Sequence, residues 1–111
     1  MDVREALLRN RSRRRFYQDY IIPENDLMTI ADAARLSPSG RNIQALKFLI
    51  SSNQHLNSRI FPTLAWAGYL AEWPGPEEGE RPYAYIIQLL DKSLTPNIMS
   101  EDCGITAQSI L

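Results

Sequence analysis

Cysteine is almost missing from this chain. Cys103 stands alone among 111 residues, which excludes an internal disulfide and a cysteine-based zinc site. Histidine is equally scarce. His55 lies in a polar stretch with no other histidine or cysteine beside it, so no metal role is expected for it. No apolar run approaches the roughly 20 residues that cross a bilayer. Met1-Asp2-Val3-Arg4-Glu5 opens directly into a charged amphipathic pattern, so no leader is expected. Repeats and low-complexity tracts are also lacking. These absences point to a cytoplasmic protein without a membrane partner, and the length points to a single domain over residues 1–111 with a modest core.

Net charge is only −1, but it is unevenly spread. Residues 1–15 carry six arginines against two acids, and the remainder carries six basic against eleven acidic side chains. The chain as a whole is no polyanion binder, yet its first residues concentrate an anion-binding capacity.

Local patterns outline the elements. Asp2 is an N-cap for a short helix to about Asn10, with Val3, Ala6 and Leu7 on one face. Pro23-Glu24-Asn25-Asp26 starts a second helix with acids in its first turn. Its buried face is set by the spacing of Leu27, Ile30, Ala31 and Ala34. Ser37-Pro38-Ser39-Gly40 ends that helix. Lys47 to Ser52 reads as a strand and a polar helix follows from near Asn53. Pro62 to Trp73 is apolar, aromatic and helix-compatible, with Trp66, Tyr69 and Trp73 read as packing or dimer contacts. Pro74 to Pro82 is expected to be a mobile loop whose Glu77, Glu78 and Glu80 are solvated. Tyr83 to Leu90 is the strongest strand, ended by Asp91. Ser100, Glu101 and Asp102 begin a last helix with an apolar face of Ile105, Ile110 and Leu111. That face breaks off without a capping motif, and two strands are few for an independent sheet. The chain is therefore expected to be the front part of a longer protein, or to be completed by a partner subunit.

Two segments carry the chemistry. Arg11-Ser12-Arg13-Arg14-Arg15-Phe16 offers guanidinium groups and a hydroxyl, the donors a phosphate needs. The same cluster could be a solvated basic arm binding nucleic acid by counterion release, for which Phe16, Tyr17 and Tyr20 are the aromatic platforms at hand. Pro38-Ser39-Gly40-Arg41-Asn42-Ile43-Gln44 could be a plain helix stop, but its Asn and Gln amides can read the polar edge of a heteroaromatic ring. Cys103 at a helix start is either a thiol favoured as thiolate or a small buried residue.

In order and spacing these segments resemble the nitroreductase-like flavoproteins. That family opens with a helix followed by Arg-Ser-x-Arg-x-Phe, matched by Arg11, Ser12, Arg14 and Phe16. Pro-Glu-x-x-Leu follows, matched by Pro23, Glu24 and Leu27. Then comes Ala-Ala-Arg-x-x-Pro-Ser-x-x-Asn-x-Gln, matched by Ala33, Ala34, Arg35, Pro38, Ser39, Asn42 and Gln44. An aromatic strand at Ala84-Tyr85-Ile86-Ile87 and a helix from Asp102 through Gly104 to Gln108 complete the match.

The resemblance implies an α+β fold with a mainly antiparallel central sheet flanked by helices, in a homodimer with FMN at the interface. It implies that Arg11 and Ser12 hold the FMN phosphate and that Arg14 meets the phosphate or the pyrimidine edge. Pro38, Ser39 and Asn42 would reach the flavin, commonly that of the other subunit. The implied reaction takes electrons from NAD(P)H through FMN to a small electron-poor acceptor, nitroaromatic or quinone; the alternative is a non-catalytic flavin-binding or interaction protein of the same fold. FMN carries that chemistry, so no catalytic side chain, metal or nucleic-acid partner is expected. Many relatives have a basic residue where Asn10 stands. The family also continues past the helix ending at Leu111, with more sheet, a glycine-containing segment near the flavin and a basic residue for the phosphate.

Overall fold

The structure, a computed structural model, describes residues 1–97 and 100–111. Its elements are α1 (Val3–Arg9), α2 (Glu24–Arg35), β1 (Leu46–Ser51), α3 (Gln54–Ile60), β2 (Tyr85–Leu90) and α4 (Ser100–Ile110). The architecture is α+β, as expected. Two units interleave along the chain: residues 1–21 with 54–83, and residues 22–53 with 84–111.

In the second unit β1 and β2 pair antiparallel, Leu46 opposite Leu90 and Ser51 opposite Tyr85. Side chains alternate between the faces of a strand. Leu46, Phe48 and Ile50 accordingly sit on the more covered face, while Lys47 and Leu49 are exposed. Helices α2 and α4 pack on one another. Pro23 caps α2, where its missing N–H costs nothing, and Glu24 and Asp26 in the first turn and Arg35 in the last suit the helix dipole. The predicted face is covered: Leu27 and Ala34 are buried, Ile30 and Ala31 half-buried.

Helix α4 departs from its predicted apolar face. The buried positions are Asp102 and Thr106, while Ile105 and Leu111 are exposed. Burial of these polar groups is tolerated because each is bonded. Thr106 Oγ1 donates to the Asp102 carbonyl and accepts from Gln88 Nε2 on β2, each at 2.9 Å. Gln88 Nε2 also donates to the Cys103 carbonyl, and Cys103 is a free, half-buried residue.

In the first unit Asp2 caps α1 as predicted, its carboxylate accepting from Glu5 N at 2.7 Å. None of the α1 residues is buried, its predicted apolar face included. The stretch from Pro62 to Trp73 is not a helix. A 3₁₀ turn at Phe61–Thr63 runs into extended backbone at Leu64 and then into successive turns. Aromatic packing outweighs local propensity here. The rings of Phe61 and Trp66 lie 5.9 Å apart, and Trp73 meets Trp66 edge-on at 6.4 Å.

The Pro74 to Pro82 segment is a loop, as expected, but it is tied down rather than free. Gly79 N and Arg81 N both donate to Gln18 Oε1, at 2.7 and 3.1 Å. Gln18 Nε2 donates to Glu78 Oε1 at 2.7 Å, and Phe16 N donates to the Glu80 carbonyl at 2.9 Å. Glu78 also pairs with Arg81, and Glu80 with Arg15, so these two acids are not merely solvated. Among the described residues, no helix is long and apolar enough to cross a membrane.

Candidate functional site

The arginine segment follows α1 directly. Arg9 pairs with Glu5, and Arg15 pairs with Glu80 while its guanidinium stands 5.8 Å from the Trp73 ring centre. Arg11, Ser12, Arg13 and Arg14 have no hydrogen bond, ion pair or ring contact to any described residue. Arg14 lines an open, mainly apolar cavity of about 750 Å³ with Arg15, Tyr69, Leu70, Ala71, Glu72 and Trp73. Arg11 and Ser12 are exposed and do not line it. Three guanidinium groups, of Arg11, Arg13 and Arg14, and the Ser12 hydroxyl are thus left unspent on one short segment.

The second unit builds the other candidate segment. Pro38, Ser39 and Gln44 line a cavity of about 180 Å³ with Arg35 and Asp102, and Asn42 stands exposed outside it. Arg41, Asn42 and Gln44 all take left-handed backbone conformations, with φ of 54°, 56° and 54°. Asparagine tolerates that region better than arginine or glutamine does. Ser39 organises the turn. Its carbonyl accepts from Asn42 N at 2.9 Å, and its hydroxyl accepts from Gln44 N at 3.0 Å. That hydroxyl donates its one proton to Asp102 Oδ2 at 2.7 Å. Gly40 N donates to Asp102 Oδ1 at 3.0 Å. Gln44 Nε2 donates to Asn42 Oδ1 at 2.6 Å. The Asn42 amide nitrogen and the Gln44 amide oxygen, on two exposed residues, are left as a donor and an acceptor without a partner among the described residues.

Asp102 was legible in the sequence as an acid in a helix first turn and as the start of the family-like helix, with nothing linking it to the Ser39 segment. The structure buries it to 4 % exposure against the Ser39 segment. The Gly40 amide and then the Ser39 hydroxyl hold its carboxyl below the usual carboxylate range, against burial, which pushes it up. Asp91 is held low in the same way by the hydroxyl and amide of Ser93. A carboxyl depressed on folding adds stability in full above its unfolded pKa of about 3.9. That contribution is lost as pH falls through the folded value. The unfolding temperature should therefore stay level from pH 7 to about 5 as far as these groups act, then fall below about pH 4. Thermal melts of wild type and Asp102→Asn across that range test this. An equally steep acid limb in both proteins would remove Asp102 from the account.

His55 is exposed on α3, the polar helix expected after the first strand. Among the described residues, no group of three or more His, Cys, Asp or Glu side chains could hold a metal ion.

The nitroreductase family model matches residues 7–97. A Methanothermobacter thermautotrophicus (strain Delta H) protein, provisionally named NADH dehydrogenase/NAD(P)H nitroreductase, is 31% identical over 113 residues, covering 100% of this chain and 54% of its own length. A crystal structure of a Parabacteroides distasonis protein with the same provisional name superposes with a TM-score of 0.70 at 19% identity, covering 99% of this chain and 60% of that one. The chain thus spans little more than half the length of these relatives.

Proposed function

Because this chain belongs to the nitroreductase family, we propose that it is a homodimeric, cytoplasmic, FMN-dependent oxidoreductase. It would pass electrons from NAD(P)H to an electron-poor organic acceptor of the nitroaromatic or quinone type. The reading treats residues 1–111 as one nitroreductase-like domain. The observation that carries it is the unspent donor set of Arg11, Ser12 and Arg14. Its chemistry fits a phosphate monoester, since guanidinium makes bidentate, charge-assisted bonds to phosphate oxygens and a serine hydroxyl adds a third donor. The unpartnered donor and acceptor of Asn42 and Gln44 fit the alternating N–H and C=O edge of a flavin pyrimidine.

In this reading Arg11 and Ser12 bind the phosphate. Arg14 meets the phosphate or the pyrimidine edge, where its charge favours an electron-rich ring. Pro38, Ser39 and Asn42 reach the flavin of the partner subunit. FMN, when bound, supplies the hydride and electron transfer that no side chain here provides. Ser39 has its hydroxyl proton committed to Asp102, so its part is to shape the loop and to offer backbone or lone-pair contacts. Tyr69, Leu70 and Trp73, beside Arg14, give an apolar surface that excludes water from a planar ligand.

The deciding experiment is the visible absorption spectrum of the purified protein, with the released chromophore identified by mass. Stoichiometric FMN is expected, together with NAD(P)H-dependent reduction of a quinone or nitroaromatic. A colourless protein that takes up no added FMN, or one whose arginine segment binds oligonucleotides in a salt-sensitive way instead, would overturn the proposal.

A further inference from the structure

We propose that Asp102 is the positioning residue of the 38–44 loop: from α4, its buried carboxylate clamps Ser39 and Gly40 and so holds the Asn42 and Gln44 amides in the arrangement a ligand meets. The inference rests on the flavin reading only for the identity of that ligand.

Left-handed backbone costs roughly 1–2 kcal/mol at each of Arg41 and Gln44 and less at Asn42, so the 41–44 backbone does not hold this shape by local preference. Conformations of this kind persist where the surroundings over-determine them. The flanks are tied by Ser37 to Ser109 on α4 and by Ala45 to Asp91 N, and within the loop the side chain that reaches in from a distant helix is Asp102. Both Asp102 oxygens are used, Oδ2 by the Ser39 hydroxyl at 2.7 Å and Oδ1 by Gly40 N at 3.0 Å. The first bond fixes where the Ser39 proton points. It thereby fixes where the hydroxyl lone pairs point, and one of them receives Gln44 N at 3.0 Å. Gln44 in turn orients Asn42 by a side-chain bond of 2.6 Å. The chain of contacts thus runs from α4 through Ser39 and Gln44 to Asn42. A buried carboxylate needs such donors to offset its lost hydration, so the clamp and the burial of Asp102 stabilise one another. Ser39 becomes a relay, and Asn42 and Gln44 become the groups that face a ligand.

The test compares wild type, Asp102→Ala and Asp102→Asn by amide hydrogen exchange and by flavin-fluorescence titration with FMN. In Asp102→Ala the Gly40 and Gln44 amides should exchange about tenfold faster or more, the scale of one charge-assisted hydrogen bond. Protection of α2 and β1 amides should be unchanged. The Kd for FMN should rise by a similar factor. Asparagine keeps an oxygen that accepts from Gly40 N but offers no second acceptor for the Ser39 hydroxyl proton, so Asp102→Asn should recover Gly40 protection and leave Gln44 exchange and the Kd for FMN near their Asp102→Ala values, whereas a purely space-filling role would restore all three alike. Unchanged Gly40 and Gln44 exchange in Asp102→Ala, or equal recovery of the Gly40 and Gln44 amides in Asp102→Asn, overturns the proposal. Should Asp102→Ala fail to fold, Ser39→Ala cuts the relay alone. It should expose the Gln44 amide while sparing Gly40, and loss of protection at neither would overturn the clamp. A wild-type protein that takes up no FMN sinks the flavin reading, while the exchange data still decide the role of Asp102.

Discussion

Replacing Gly75 with alanine is expected to destabilise the protein by about 2–4 kcal/mol. Gly75 has a φ of +105°, where a side chain is strained. A Cβ there would also fall 2.5 Å from Cδ1 and 2.9 Å from Cγ and Nε1 of Trp66. That ring cannot swing aside cheaply, because it packs against both Phe61 and Trp73. The penalty has two parts, backbone strain and overpacking, and the chain contains a control for their separation. Gly79 has a similar φ of +95°, but a Cβ there would meet nothing within 4 Å. Gly79→Ala should therefore cost only the strain, about 1 kcal/mol. At roughly 4–8 °C per kcal/mol for a domain of this size, the two variants should differ clearly in thermal melts followed by tryptophan fluorescence. Equal losses would show that Trp66 does not hold Gly75 in the arrangement described.

The double substitution Arg11→Ala, Ser12→Ala is expected to weaken FMN binding by about two to three orders of magnitude. It removes one charge-assisted partner, worth roughly 1.5–3 kcal/mol, and one neutral donor, worth roughly 1 kcal/mol or more. Fold stability should hardly change, since neither residue has a partner among the described residues. Arg13→Ala is the informative comparison. Arg13 is equally exposed and equally unpaired, yet the family pattern gives it no ligand. If the segment were a generic basic arm, the arginines would be interchangeable and affinity would follow charge and salt. A flavin titration in which Arg13→Ala costs as much as the double variant would remove the phosphate assignment to Arg11 and Ser12.

Much of this protein was determined by short-range sequence. Pro23, the first-turn acids and the spacing of Leu27, Ile30, Ala31 and Ala34 specify α2, because capping and a 3.6-residue period act within a few residues. The β-rich runs that became β1 and β2 were legible to within two residues at their starts. The donor types of Arg11, Ser12 and Arg14 stand on one stretch of sequence, and the structure adds that they have no partner among the described residues.

Tertiary structure decided the rest. Asp102 meets Ser39 across 63 residues, and Gln18 meets Gly79 across 61. No local pattern marks either pair. The Phe61, Trp66 and Trp73 cluster turned a helix-compatible run into turns. Helix α4 buried Asp102 and Thr106 in place of its isoleucines because bonded polar groups were available opposite them. The physical reason is common to all of these. Propensity and periodicity contribute tenths of a kcal/mol per residue, whereas a buried hydrogen bond left unmade costs roughly 1–3 kcal/mol, so long-range partners override local preference wherever the two disagree.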